Sequence, residues 1–160
     1  MPVECDRGNS VSLSVNSTPR CFDSIVIGMS AQAIRIAVID DDASVRKALA
    51  RLLNVSPFIP ATFGSAQDFL DSLPVSVPDC LVLDLQMPDM TGLDLQEQLA
   101  RIGIQIPTII VTAHDESNLR QRCRLAGAAA YLIKPLEEAT LFASINLAIG
   151  RKPPCDKLPA

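Results

Sequence analysis

The chain of 160 residues has no C-x-x-C pair, a single histidine and no apolar run long enough to span a bilayer. Cys5, Cys21, Cys80, Cys123 and Cys155 are odd in number and scattered, and His114 stands far from all of them. That spacing argues against a zinc or redox centre and against a disulfide framework. Cys80 falls inside an apolar run, where a reduced thiol behaves as a small hydrophobe, so the compartment implied is reducing, hence cytoplasmic. The longest apolar stretches, such as Ile106 to Ala113, fall far short of the roughly 18 residues a membrane-spanning helix needs. Positive charge is scarce too: 14 Lys+Arg face 18 Asp+Glu, a net charge of −4. Broad nucleic-acid binding depends on neutralising phosphates with Lys and Arg, so this balance argues against direct nucleic-acid binding by the chain.

What is present is a hydrophobic content of 48%, enough for the core of one domain. Residues 1–33 sustain no period and are rich in Ser, Gly, Asn and Pro, so they read as a disordered extension. Met29-Ser30-Ala31 runs straight into the first strand, which makes Met29 an alternative start. From residue 34 to 149, β-rich runs alternate with amphipathic ones, and residues 150–160 form a short tail. The expected strands are Ile34–Ile39, Phe58–Thr62, Cys80–Leu83, Thr108–Thr112 and Ala129–Ile133, three of them almost continuously apolar, as in a parallel sheet covered on both faces. The expected helices are Ser44–Asn54, Ser65–Leu73, Thr91–Arg101, Asp115–Ala126 and Glu137–Ile149, with Ser65 and Thr91 at N-termini and Gly127 and Gly150 as C-terminal caps. This alternation predicts an α/β domain with an open, doubly wound five-stranded parallel sheet.

In such sheets ligands bind beyond the carboxyl ends of the strands. Strand 1 is followed by Asp40-Asp41-Asp42, strand 3 by Asp84, strand 4 closes on Thr112-Ala113-His114, and strand 5 runs into Lys134-Pro135. If strands 1 and 3 are neighbours, their ends lie about 4.8 Å apart, and the carboxylates converge. Uncompensated, they would repel and raise each other's pKa; a divalent cation resolves this, and hard oxygen ligands suit Mg²⁺. A dinucleotide site is excluded. It needs G-x-G-x-x-G after strand 1, whereas this loop holds three aspartates and no glycine. Asp42 fits the N-cap of the first helix better than a metal role, and Asp89 reads as turn chemistry.

The strings VIDDD, LVLDLQMPDMTG, IIVTA and YLIKP, in this order and spacing, resemble the receiver (CheY-like, flavodoxin-like) domain of two-component response regulators over about residues 34–149. The resemblance implies strand order 2-1-3-4-5. It implies Asp84 as phosphoacceptor, with Asp41 a direct Mg²⁺ ligand, Asp40 acting largely through water and the backbone carbonyl of Gln86 a further ligand. Thr112 and Lys134 would contact the phosphoryl oxygens, Tyr131 would be the aromatic switch, and the Lys134–Pro135 bond would be cis. Gln86 and His114, each two residues beyond a strand-end site residue, would tune phosphoryl lifetime. The implied partners are a sensor histidine kinase, a downstream protein effector and a second copy of the chain on phosphorylation. Such a protein is no conventional enzyme: it takes up the phosphoryl group and loses it again by its own chemistry. Leu136 stands where the family often has an aromatic, a minor departure.

After Gly150 ten residues remain, too few for a helix-turn-helix, and the simplest reading is a stand-alone receiver. The runner-up is an excised receiver of a FixJ-like DNA-binding regulator, suggested by the stretch Phe63 to Leu70. A more distant rival is a Mg²⁺-dependent phosphatase with an Asp nucleophile, but the general-acid position of such enzymes is Gln86 here. Arg120, Arg122 and Arg124 read as a solvated basic face, with partner docking as the alternative. Removing Asp40, Asp41, Asp42 and Asp84 from the 18 acidic residues leaves 14 against 14, so the charge excess belongs to the strand-end crevice.

Overall fold

A computed structural model of the chain describes residues 33–54 and 57–150. The extension read over residues 1–33 with its Met29 start, and the 150–160 tail, lie outside the described residues except for Ala33 and Gly150, as do Cys5, Cys21 and Cys155. Five strands, β1 (Ile34–Ile39), β2 (Phe58–Phe63), β3 (Cys80–Asp84), β4 (Thr108–Thr112) and β5 (Ala130–Ile133), alternate with five helices. The helices are α1 (Ala43–Leu53), α2 (Ala66–Ser72), α3 (Gly92–Arg101), α4 (Ser117–Leu125) and α5 (Glu138–Ala148). All strand pairs are parallel, as the apolar runs predict, in the order β2-β1-β3-β4-β5 that the resemblance implies.

Alternate side chains of each central strand leave by opposite faces, and the core divides accordingly. Ala37, Ile39, Leu81, Leu83 and Ile110 pack with Phe69 of α2, Leu95 and Leu99 of α3 and Cys123 of α4. Ile36, Val38, Val82, Ile109 and Val111 pack with Leu49 and Leu53 of α1 and Leu141 and Ile145 of α5. Covered on both sides, β3 and β4 are buried at every position, hence their unbroken apolar runs. The edge strands β2 and β5 are only partly buried, and an edge tolerates Pro60.

Local chemistry sets the helix boundaries. Ser65 accepts from the Asp68 amide, and Thr91 and Asp94 form a reciprocal capping box, a device worth about 1 kcal/mol. Gly127 and Gly150 carry positive φ (92° and 73°), which side chains with a Cβ rarely adopt, and so end α4 and α5. Most other boundaries differ from expectation by a single residue; the largest difference is that α4 begins at Ser117, not Asp115. Asp115 does not cap the helix; its carboxylate pairs with Arg120 at 2.8 Å, and Glu116 takes the N-cap position without a side-chain hydrogen bond. No helix among the described residues is long and apolar enough to cross a membrane.

Candidate functional site

The register delivers the site. Ile39 pairs with Leu83, so Asp40 and Asp84 follow side by side on adjacent strands. Thr112 pairs with Ile133, so Lys134 emerges one residue further on.

The three consecutive aspartates of the β1–α1 loop have three fates. Asp40 is buried (2% exposed); its amide donates to the Phe63 carbonyl at 3.3 Å and its Oδ1 accepts from the Asp42 amide at 2.9 Å. Asp41 is exposed. Asp42 caps α1, its Oδ1 accepting from the Ser44 amide at 2.8 Å, a bond that holds its carboxyl below the ordinary range. The N-cap expectation for Asp42 is therefore met.

Asp84 ends β3 at 6% exposure. The Lys134 ammonium donates to Asp40 Oδ2 at 2.9 Å and to Asp84 Oδ1 at 3.2 Å. Burial raises the Asp84 pKa; the Lys134 charge works against that rise, while Asp40 and Asp41 add to it. For Lys134, burial works to lower the pKa but is outweighed by the hydrogen bond to Asp40 and the charges of Asp84 and Asp40, so the ammonium is held above its usual value. The carboxylate oxygens of Asp40, Asp41 and Asp84 come within 4.8 Å of one another. Three carboxylates against one ammonium leave an excess of negative charge in a partly desolvated notch. An all-oxygen donor set of this charge fits Mg²⁺, which the receiver family typically binds in its acidic pocket. Among the described residues no thiol joins this donor set: Cys80 and Cys123 are buried in the core, and burial pushes the Cys80 thiol up to about 12.

Thr112 is fully buried, and its hydroxyl is engaged with the backbone of the β4–α4 loop rather than with Asp84. It donates to the His114 carbonyl at 3.2 Å and accepts from the His114 amide at 3.2 Å. The Tyr131 hydroxyl donates to that same carbonyl at 3.2 Å. The residue that unites Thr112 and Tyr131 is thus His114, through its main chain; its side chain is exposed. Gln86 is exposed too and, with Asp41, Thr91 and Arg122, lines a cleft of about 560 Å³ beside the acidic notch. The Lys134–Pro135 bond is cis, as expected.

Three residues enter that pattern reading did not single out for the site. The Arg46 guanidinium donates to the carbonyls of Asp40 (2.6 Å) and Asp41 (2.9 Å). A Cβ on Gly92 would stand 2.7 Å from the Asp84 carbonyl oxygen, so only glycine lets α3 start this close to the end of β3. Arg120 lies on an exposed basic face, as expected, and from there also pairs with Asp115 and lies over the Tyr131 ring, its Cζ 5.2 Å from the centroid. None of the three carried such a sequence signal: Asp115 precedes α4 and lies outside the i,i+3 and i,i+4 spacings that bring helix side chains together.

A doubly wound sheet in the order 2-1-3-4-5, with acidic residues after β1 and β3 and a lysine after β5, defines a receiver of the response-regulator type. The chain belongs to the response regulator receiver domain family, which it matches over residues 36–146. It is 37% identical to the response regulator protein TodT of Pseudomonas putida over 125 residues, 78% of this chain and 55% of TodT. It is 34% identical to the transcriptional regulatory protein FixJ of Azorhizobium caulinodans over 120 residues, 75% of this chain and 57% of that protein. Among solved structures, FixJ-N superposes with a TM-score of 0.70 at 33% identity, covering 76% of this chain and 97% of FixJ-N. The chain thus spans about half the length of the curated relatives it matches.

Proposed function

We propose that this chain is the phosphoacceptor of a two-component phosphorelay and that Asp84 receives the phosphoryl group of a sensor histidine kinase. The single observation that carries the reading is the Asp84 carboxylate at the end of β3, 3.2 Å from the Lys134 ammonium and among the oxygens of Asp40 and Asp41. An Asp84 oxygen attacks phosphorus, the bond from phosphorus to the donor's imidazole nitrogen breaks, and the imidazole leaves, taking up a proton from solvent. Such transfers need alignment and neutralisation of the equatorial oxygens more than they need a base. Lys134 supplies fixed positive charge on one side of the transferring group. Mg²⁺, held by Asp41, Asp84 and the Gln86 carbonyl with Asp40 acting through water, would supply the remaining charge neutralisation.

The acyl phosphate adds negative charge and acceptor oxygens at Asp84. The Thr112 hydroxyl, released from the His114 carbonyl, turns to donate to a phosphoryl oxygen, and Tyr131 moves into the space it leaves. That biases the α4–β5–α5 surface toward a state read by a downstream protein effector or by a second copy of the chain. Gln86 and His114 flank the group and tune its hydrolysis. These partners place the chain's work in the cytoplasm, and the phosphoryl group is gained and lost by self-catalysis rather than by turnover of a separate substrate.

A second reading concerns output. FixJ is a transcriptional regulatory protein of which this chain covers 57%, which is consistent with the receiver of a FixJ-like DNA-binding regulator and leaves the stand-alone reading in place. The phosphotransfer reading is tested by incubating the protein with Mg²⁺ and acetyl phosphate and measuring intact mass. A gain of one phosphoryl group, lost on chelation before mixing, is expected; no gain contradicts the reading.

A further inference from the structure

We infer that Arg46 is a positioning residue that holds Asp41 in place for cation binding by clamping the main chain of the acidic loop. The inference rests on the reading of Asp41 as a cation ligand and adds a residue to it. Arg46 Nη1 donates to two successive carbonyls, Asp40 at 2.6 Å and Asp41 at 2.9 Å, from the first turns of α1. Both peptide planes are thereby tied to the helix that follows the loop. Asp40 needs little help, since it is buried and bound through the Asp42 amide and Lys134. Asp41 is exposed, and the peptide that follows it has two anchors: Arg46 at its carbonyl, 2.9 Å away, and Asp40 Oδ1 at its N–H, that of Asp42. The guanidinium is half-buried in a notch beside Gly64, where an added Cβ would stand 3.5 Å from Nη1, so alanine fits there and a longer side chain would compete for the space. A planar guanidinium with several donors is suited to bridging two oxygens; an ammonium reaches them only as a point charge.

Position and charge make opposite predictions here. A cation beside three carboxylates repels an incoming metal ion, so if Arg46 acted only through its charge, removing it would tighten metal binding. If it acts by holding Asp41, removing it loosens binding, and supporting partners of metal ligands are typically worth about tenfold or more in affinity. The test titrates the full chain with Mn²⁺ alone, read by loss of the free-ion electron paramagnetic resonance signal at constant ionic strength. Arg46→Met keeps the apolar stem and removes every donor, Arg46→Lys restores a donor, and Arg51→Met is a control for charge on the exposed side of α1. Expected are about tenfold weaker binding for Arg46→Met, partial rescue by Arg46→Lys and wild-type affinity for Arg51→Met. Circular dichroism checks that each variant is folded, and if Arg46→Met is not, Arg46→Leu, equally free of donors, is read by the same criterion. Affinity equal to or tighter than wild type in the donor-free variant overturns the inference and leaves the phosphoacceptor reading intact. Wild-type protein that binds no Mn²⁺ overturns the reading of Asp41 and this inference together.

Discussion

On the β1–β3 side of the crevice, Asp40 and Asp84 are buried and held by salt bridges to Lys134, and the loop carrying Asp40 and Asp41 is clamped by Arg46. On the β4–β5 side, Thr112 and Tyr131 hang on one carbonyl through bonds of 3.2 Å, β5 is only partly buried, and the Arg120–Asp115 pair over Tyr131 is exposed. The first side is built to keep charges fixed in a desolvated place. The second is built from neutral hydrogen bonds worth about 0.5–1.5 kcal/mol each and an exposed ion pair worth less. A group that must meet a transition state gains from being held before reaction, whereas a group that must report it has to move for a modest free energy. The contrast therefore separates the proposed chemistry from the proposed output within one row of strand ends.

The comparison is broken most severely at Gly92. Gly92→Ala forces a Cβ to within 2.7 Å of the Asp84 carbonyl oxygen and 3.2 Å of Leu85 Cα, contacts with backbone that cannot rotate away. A loss of about 1–3 kcal/mol in urea unfolding is expected, with slower phosphoryl uptake because Asp84 itself is displaced. An unchanged midpoint would mean that α3 is free to slide away from β3.

Asp84→Asn sharpens the same side by relieving its excess charge. In the folded protein the Asp84 pKa lies above its ordinary 3.8, chiefly through burial. Between 3.8 and that raised value the folded state keeps a proton the unfolded chain has released, so stability falls as pH rises through the window. The neutral asparagine lacks this loss, and metal-free Asp84→Asn is expected to be more stable than wild type at pH 7. The difference shrinks as pH is lowered and vanishes once the carboxyl is protonated in both states. Denaturation midpoints of the two proteins across acid and neutral pH measure this directly.

The smallest effects belong to the other side. Tyr131→Phe removes one neutral hydrogen bond to the His114 carbonyl and is expected to cost about 0.5–1 kcal/mol. Arg120→Gln removes the cation over the Tyr131 ring and the pair with Asp115, at about 0.5 kcal/mol or less. The chain has one tyrosine and no tryptophan, so its intrinsic fluorescence reports Tyr131 alone. Arg120→Gln should change that emission while leaving the unfolding midpoint nearly untouched. A large stability loss in either variant would show that this side is as firmly built as the acidic one.

Buried parallel strands declare themselves as apolar runs, and β1 and β4 coincide at both ends with the segments read from sequence. Asp40, Asp41, Asp84 and Lys134 were legible because strand ends in such sheets converge whatever fills the helices. The rest depended on contacts that no periodicity encodes. Arg46 acts on carbonyl oxygens, which every residue possesses. Gly92 is the first residue of α3, and its importance comes from the approach of α3 to β3. The spacing of Arg120 and Arg124 shows a shared helix face but not that Arg120 reaches Tyr131 on a strand beyond it. The start of α4 lies two residues beyond the expected Asp115, whose carboxylate pairs with Arg120.

The central claim is that Asp84 is the phosphoacceptor, and the most direct measurement compares wild type with Asp84→Asn after incubation with Mg²⁺ and acetyl phosphate. Wild type should gain one phosphoryl group by intact mass, and the variant, folded and at least as stable, should gain none. An equal gain in both proteins would contradict the account.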